Sequence, residues 1–292
     1  MKQTSLYKGL GITAVAASLL ISSCKKDGNP NDLPPASGDY TGTISGYKTS
    51  DDVQKANLIA YWGFEDNNNE QLSGVAPTQS AGSTSAANGV RGKALSLNAG
   101  YLYFANQFER FKTDSLKSWT ISAWVKVANN GSKRTMLFQL ARPGIFDGSI
   151  NFKLNTQRAV TLANLELNPT FQTIGGGFQD NLNASIKPAI VAGQWMHLAL
   201  TYDGTTGVFL MYADAVAIGS YNNRGVGNNL FKAYEPGEII IGSNYNGIPG
   251  KEVNTNVTFA PMTGQVDEMR IWKKTLSVAH IKALYDLGIA GK

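Results

Sequence analysis

The chain has 292 residues, of which 42% are hydrophobic and 16% charged, so an intrinsically disordered chain is excluded and one large domain or two modest ones are expected. The net charge of +5 comes from 26 Lys and Arg against 21 Asp and Glu, and no basic run occurs, so nucleic acid is not an expected partner. A single Cys excludes a disulfide framework or a Cys-rich zinc site.

In chain order, Lys2 and Lys8 precede an apolar run from Leu10 to Ile21. That run is too short for the roughly 20 residues of a bilayer-spanning helix, and it reads as a secretory signal. Leu20-Ile21-Ser22-Ser23-Cys24 then resembles the lipobox of bacterial lipoproteins, in which the Cys is acylated and the chain is cut just before it. The expectation is a signal peptide over 1–23 and a lipid anchor at Cys24 in the cell envelope. The outer membrane is preferred, because no Asp follows Cys24 directly. Residues 24–56 carry Asn29-Pro30, Pro34-Pro35 and Ser37-Gly38 and read as a spacer, with a short helical turn over Thr49 to Asn57.

From residue 57 to 292 the signals are those of one all-β domain. Strands are predicted at Leu58–Phe64, Trp119–Val127, Met136–Ala141, Ile150–Leu154, Val160–Leu165, Trp195–Tyr202, Phe209–Tyr212, Ala215–Tyr221, Glu238–Gly242 and Gly264–Trp272. Turn signals such as Asn129-Asn130-Gly131, Asp203-Gly204 and Asn246-Gly247 separate them. The clearest alternation is in Trp119–Val127, where Trp119, Ile121, Ala123, Val125 and Val127 share a face. One helix is signalled near the end. Ser277 is its N-cap, Leu276 and Ile281 form a staple, Val278, Ile281, Leu284 and Tyr285 make an apolar stripe, and Gly288 is its C-terminal cap. It is expected on the sandwich rim or over a sheet edge.

Several motifs occur in a fixed order: Leu58-Ile59-Ala60-Tyr61-Trp62-Gly63-Phe64-Glu65, Gly89-Val90-Arg91-Gly92-Lys93-Ala94-Leu95, Trp119-Thr120-Ile121-Ser122-Ala123-Trp124-Val125-Lys126, Gly193-Gln194-Trp195-Met196-His197-Leu198 and Gly264-Gln265-Val266-Asp267-Glu268-Met269-Arg270-Ile271-Trp272. Together they resemble a laminin-G-like domain of the concanavalin A-like lectin/glucanase superfamily, over about 57–288. The resemblance implies a jelly-roll sandwich of two antiparallel sheets with one short C-terminal helix. It also implies frequent roles in binding sugars or proteins at cell surfaces, here in a Bacteroidetes-type envelope lipoprotein. Fold alone does not fix function.

The residues argue against catalysis. Retaining glucanases need two carboxylates about 5–5.5 Å apart, and no strand here presents alternate acids. Asp267 and Glu268 are adjacent, which on a regular strand sends them to opposite faces. His197 matches the family's tryptophan–any–histidine motif and reads first as a structural His in the sheet. His280 reads as solvated.

Asp267 is expected on the core face with Met269 and Ile271, where a carboxylate needs a cation or hydrogen bonds. Related domains often hold a structural calcium in this region, and Glu65 and Asp66 with Asp267 are the candidate oxygen donors. For sugar, Trp62 and Trp119 read as core. Trp124, Trp195 and His197 lie opposite their strands' aliphatic faces, so they either line a groove or are covered by the 142–192 segment. Tyr221, Asn222, Arg224, Tyr234 and Tyr245 add aromatic, amide and guanidinium groups near turns. The reading is a membrane-anchored, lectin-like module that captures glycans without cleaving them. A protein-binding or adhesive module of the same fold, or a glycoside hydrolase with a dispersed carboxylate pair, are the alternatives.

Overall fold

The computed structural model describes residues 42–106, 108–112, 116–129, 131–157, 165–174, 177–179, 184–186, 193–221 and 231–292. Among these, fifteen strands form one antiparallel, curled sheet. They are β1 (Leu58–Trp62), β2 (Gln79–Ala86), β3 (Ala94–Phe104), β4 (Trp119–Val127), β5 (Thr135–Arg142), β6 (Ile145–Asn155), β7 (Leu165–Leu167), β8 (Thr170–Thr173), β9 (Gly177–Gln179), β10 (Ala184–Ile186), β11 (Met196–Asp203), β12 (Val208–Ala213), β13 (Val216–Tyr221), β14 (Glu238–Ile241) and β15 (Met262–Trp272). Hydrogen-bonded neighbours run β10-β7-β6-β5-β14-β3-β15-β4-β11-β12-β13, with β1 added to β15, β2 to β3, and the β8–β9 pair to β6. This is the expected all-β jelly-roll sandwich. The strand expected over Val160–Leu165 lies almost wholly outside the described residues.

Alternation along the strands sets the two layers. In β4, Trp119, Ile121, Ala123, Val125 and Val127 enter the core; in β11, Met196, Leu198, Leu200 and Tyr202 do the same. Across from them come Leu95, Leu97, Leu102 and Phe104 of β3, Ile239 and Ile241 of β14, and Ile150, Phe152 and Leu154 of β6. Each such side chain contributes about 1.5–3 kcal/mol by leaving water. Trp119 is fully enclosed, with Phe171, Tyr202, Phe209 and Phe231 at 5.5 to 6.1 Å between ring centroids. Trp62 is also buried, against Phe104 and Phe108, so both Trp residues assigned to the core belong there.

Helix α1 (Val278–Ile289) starts at Ser277, whose Oγ accepts from the His280 N–H. The expected rim placement is corrected. α1 lies on the outer face of the β4–β11–β12 layer, with Ile281, Ala283, Leu284 and Leu287 packed on Ala199, Tyr212 and Trp272. That face is apolar and aromatic enough to need a cover. Two details of the helix also differ from expectation. Val278 is exposed, and Gly288 lies inside the helix while Gly291 takes the left-handed conformation after it. His280 is not simply solvated, because its Nε2 meets Gln54 Nε2 at 3.0 Å. The predicted turn over Thr49–Asn57 appears as two short 3-10 helices, at Ser50–Asp52 and Lys55–Asn57. Among the described residues, no helix is long and apolar enough to cross a membrane.

Candidate functional site

The outer face of β4 and β11 does not offer a sugar platform. Trp124 and His197 are both buried, and the cover is α1 rather than the 142–192 segment. Tyr285 stacks on Trp124 at 5.7 Å and 14° between planes. Gly288 allows this approach, because a Cβ there would lie 2.5 Å from the Trp124 ring. The His197 ring bonds through Nε2 to Ser122 Oγ at 2.7 Å. Burial, and then the charge of Arg270, push His197 down to about 3, so it is a neutral structural histidine. Trp195, just before β11, is half-buried.

Beside His197 lies a charged cluster that periodicity did not reveal. A bulge in β15 between Asp267 and Arg270 inserts one residue against β4. Glu268 takes a left-handed φ of 51° there, an uncommon conformation for a non-glycine residue. Arg270 Nη2 contacts Glu268 Oε2 and Asp51 Oδ1, each at 2.6 Å. Arg91 Nε reaches Glu268 Oε1 at 3.2 Å, and Tyr61 donates to the same oxygen at 2.7 Å. Arg91 also donates to Tyr61 and to Asp51. A recess among these side chains, lined also by Ser122, Trp124 and His197, is about 10 Å³, too small for a ligand. The cluster ties the 50–53 segment, β1, the 89–93 turn and β15 together, and it is a structural device.

The same bulge corrects the placement of Asp267. Val266, Met269 and Ile271 enter the core, so the inserted residue leaves Asp267 on the opposite face, paired with Trp124. Its Oδ2 accepts from Val90 N at 2.7 Å and Arg91 N at 3.1 Å, and its Oδ1 from Glu268 N at 2.7 Å. Burial pushes its carboxyl up to about 7, with the N–H donors pulling the other way. Glu65 Oε2 accepts from Lys93 N at 2.9 Å, and Asp66 lies 3.7 Å from Lys93 Nζ. The three expected calcium donors therefore grip two ends of one turn rather than converging on one point. Among the described residues no group of three or more His, Cys, Asp or Glu could hold a metal ion. The residues present do not fit a calcium cage there.

An open cleft lies on the other layer. On the outer face of β3, β14 and β5, Tyr101, Tyr103, Ile240 and Ala141 pack under Tyr245 and Ile248 of the following loop. Beside them opens a cleft of about 230 Å³, lined by Pro143, Gly144, Glu238, Tyr245, Lys251 and Glu252 among others. Glu238 is only 8% exposed, and Tyr245 donates its hydroxyl to Glu238 Oε2. Lys251 Nζ donates to Tyr103 OH at 2.8 Å and sits 4.7 Å from that ring's centre. Burial first, then Glu238, push Tyr245 well above the ordinary phenol range, so it stays a hydrogen-bond donor. Tyr103 is also pushed up, by burial first and with Lys251 opposing.

Of the sequence candidates among the described residues, Tyr245 alone lines this cleft, and it is a buried wall rather than an exposed platform. Tyr234 is half-exposed elsewhere, with the Arg142 and Lys232 cations 4.5 and 4.4 Å from its ring centre. Tyr221 ends β13. Cys24, Asn222 and Arg224 lie outside the described residues. Glu238 and Lys251, which line the cleft, were not among the sequence candidates. Their signal was a charged residue at the start of a strand, Glu238-Ile239-Ile240-Ile241, followed by a Gly-rich, charged loop.

Comparison with solved structures places the fold among known binding domains. The binding domain of Paraclostridial Mosquitocidal Protein 1 aligns at 16% identity and TM-score 0.55, over 79% of this chain and 52% of that one. The binding domain of botulinum neurotoxin DC, solved with rat synaptotagmin II, aligns at 12% and 0.54 over 79% and 52%. This chain thus spans about half the length of the toxin domains. Domain 4 of AbnA, an extracellular GH43 arabinanase from Geobacillus stearothermophilus solved with arabinotriose, aligns at 18% and 0.50 over 78% and 98%. No curated protein matches the sequence. A laminin-G family model matches residues 98–282, more than half of the chain, and the chain therefore belongs to the concanavalin A-like lectin/glucanases superfamily.

Proposed function

We propose that this protein is a lipid-anchored envelope module that captures carbohydrate without cleaving it. The observation that carries the reading is the cleft beside β14, where Glu238, Tyr245, Lys251 and Glu252 offer hydrogen-bonding groups around an open space of about 230 Å³. That is smaller than the roughly 300–1,000 Å³ of drug-sized ligand pockets, and it suits one sugar ring of a longer chain. The arabinanase domain solved with arabinotriose has the same fold, which supports the reading by analogy. The Leu20–Cys24 motif supports anchoring, with acylation at Cys24 holding the sandwich at the membrane beyond a spacer. The outer membrane is the preferred location.

One observation favours a second reading. Glu238 and Glu252 both line the cleft, and a glycosidase needs two carboxylates. A glycan array probed with the purified protein, with Ca²⁺ and with chelator, followed by product analysis on each hit, separates the readings. Binding without products supports capture, products support hydrolysis, and silence on every glycan rejects both and leaves a protein partner.

A further inference from the structure

The charges and hydrogen bonds of the β14 cleft bear on which sugars it takes. Three ionisable side chains carrying formal charge line it: Glu238, Glu252 and Lys251. Two carboxylates thus stand against one ammonium, and that ammonium is already turned onto Tyr103, donating to its hydroxyl at 2.8 Å and lying over its ring. The nearest other cation along the β5–β6 hairpin, Arg142, points to the Tyr234 ring and donates to the Asp147 carbonyl. Glu238 is therefore the dominant fixed group at the floor. It is nearly buried, so its charge is poorly screened by water. Tyr245 donates to its Oε2, and the Tyr103 hydroxyl is a second hydrogen-bond partner of the same carboxylate. A carboxylate has about four acceptor sites, and the rest can accept from ligand hydroxyls. Around it stand the Tyr245 phenol, the Glu252 carboxylate and the single Lys251 ammonium, and the lining residues include no Arg fork of the kind that recognises carboxylate or sulfate.

We infer that this cleft takes neutral sugars, through hydroxyl groups donated to Glu238, and rejects sugars that carry a carboxylate or sulfate. The inference rests on the carbohydrate-binding reading and goes further by naming the class of sugar and the residue that sets it. A negative ligand would be placed against a nearly buried like charge, an arrangement that interfaces use to exclude wrong partners. A hydroxyl-bearing ring meets no such penalty. Its O–H groups replace water at the carboxylate.

The test is calorimetric titration of the full chain with neutral pyranose oligomers and with their C6-carboxylate counterparts, on the wild type, Glu238→Gln and Glu252→Gln. Circular dichroism checks the fold of each variant. Glu252 is exposed, so its variant remains informative even where Glu238→Gln is destabilised. The expected result is that the wild type binds neutral oligomers about tenfold or more tightly than the acidic counterparts. Glu238→Gln should shrink that ratio by admitting the acidic forms, and Glu252→Gln should shrink it less. Equal or tighter binding of the acidic forms by the wild type overturns this inference alone. An unchanged ratio in both variants also overturns it, by placing the sugar elsewhere. No binding of either class overturns the carbohydrate reading itself.

Discussion

Trp124 and Tyr285 stack 5.7 Å apart and nearly parallel, at 14°, so the C-terminal helix closes over the tryptophan that strand periodicity offers as a sugar platform. Gly288 is the residue that permits it, one turn on from Tyr285 along the helix. Gly288→Ala is expected to push α1 off the sheet and cost about 1–3 kcal/mol, the usual range for overpacking. Thermal melting measures the loss. Any glycan binding at the β14 cleft should survive in the folded fraction, because the cleft is on the other layer. A Gly288→Ala protein as stable as the wild type would show that α1 does not press on Trp124.

His197 and Asp267 should give opposite pH dependences. The folded pKa of His197 is about 3 against an ordinary 6.5. The unfolded chain binds that proton more readily, so the His197 contribution is complete above pH 6.5 and is lost as pH falls from there towards 3. Asp267 is raised from 3.8 to about 7. Its contribution is complete below pH 3.8 and is lost as pH rises through 7. Between those limits the two slopes cancel in part. In His197→Gln, stability should fall with rising pH relative to the wild type; in Asp267→Asn it should rise. Each difference should approach about 1.4 kcal/mol per pH unit in the middle of the window. Urea midpoints at a few pH values would show it. Parallel profiles for all three proteins would mean that neither group is perturbed in the fold.

The Gly89–Lys93 turn makes a third case. Asp267 accepts the Val90 and Arg91 N–H groups, and a Cβ at Gly89 would lie 2.4 Å from the Lys93 carbonyl and 2.7 Å from Asp267 Oδ2. A backbone carbonyl cannot swing away as a flexible side chain can. Gly89→Ala should therefore loosen the turn and weaken the grip of Arg91 on Asp51 and Glu268, at a cost of about 1–3 kcal/mol. Denaturant titration checks it. Arg91→Ala in the Gly89→Ala background should then cost less than Arg91→Ala alone, since the two act on one device. Strict additivity would separate the turn from the charge cluster.

The ordered motifs made the sandwich legible, because their alternation picks out the side chains of β4 and β11 that enter the main core. β2 was not legible. Its Gln79–Ala86 sequence is small and polar, with most of it exposed, so it carries no two-residue pattern to read. β3 was hidden because Asn98, Ala99 and Gly100 interrupt it, with Ala99 at a left-handed φ of 47°. The site was less legible still. A single inserted residue at the β15 bulge moved Asp267 to the other face, and alternation has no means of seeing such a shift. The covering of Trp124 depends on a contact between positions 124 and 285, and sequence spacing does not encode which face a helix returns to. Tyr245 was visible as an aromatic near a turn. Its partner Glu238 was not, since only the fold brings the hydroxyl onto the carboxylate.

The acidic residues of the first and last motifs lead to the final prediction. In a calcium site, carboxylate oxygens converge on one ion with six to eight oxygen ligands. Here both Asp267 oxygens already accept N–H groups, three in all. Glu65 accepts a fourth, from Lys93. A cation entering at Asp267 would have to displace donors that belong to the turn, and it would leave those N–H groups buried and unpaired at about 1–3 kcal/mol each. Asp66 is exposed and faces only the Lys93 ammonium, so it has no strong hold on an ion. The melting temperature should therefore be the same with Ca²⁺ and with chelator, and Asp66→Asn should leave it unmoved. Any binding to glycans at the β14 cleft should likewise be indifferent to chelator. A rise in melting temperature with Ca²⁺ that vanishes in Glu65→Gln would show that the carboxylates release the turn and gather around the ion instead.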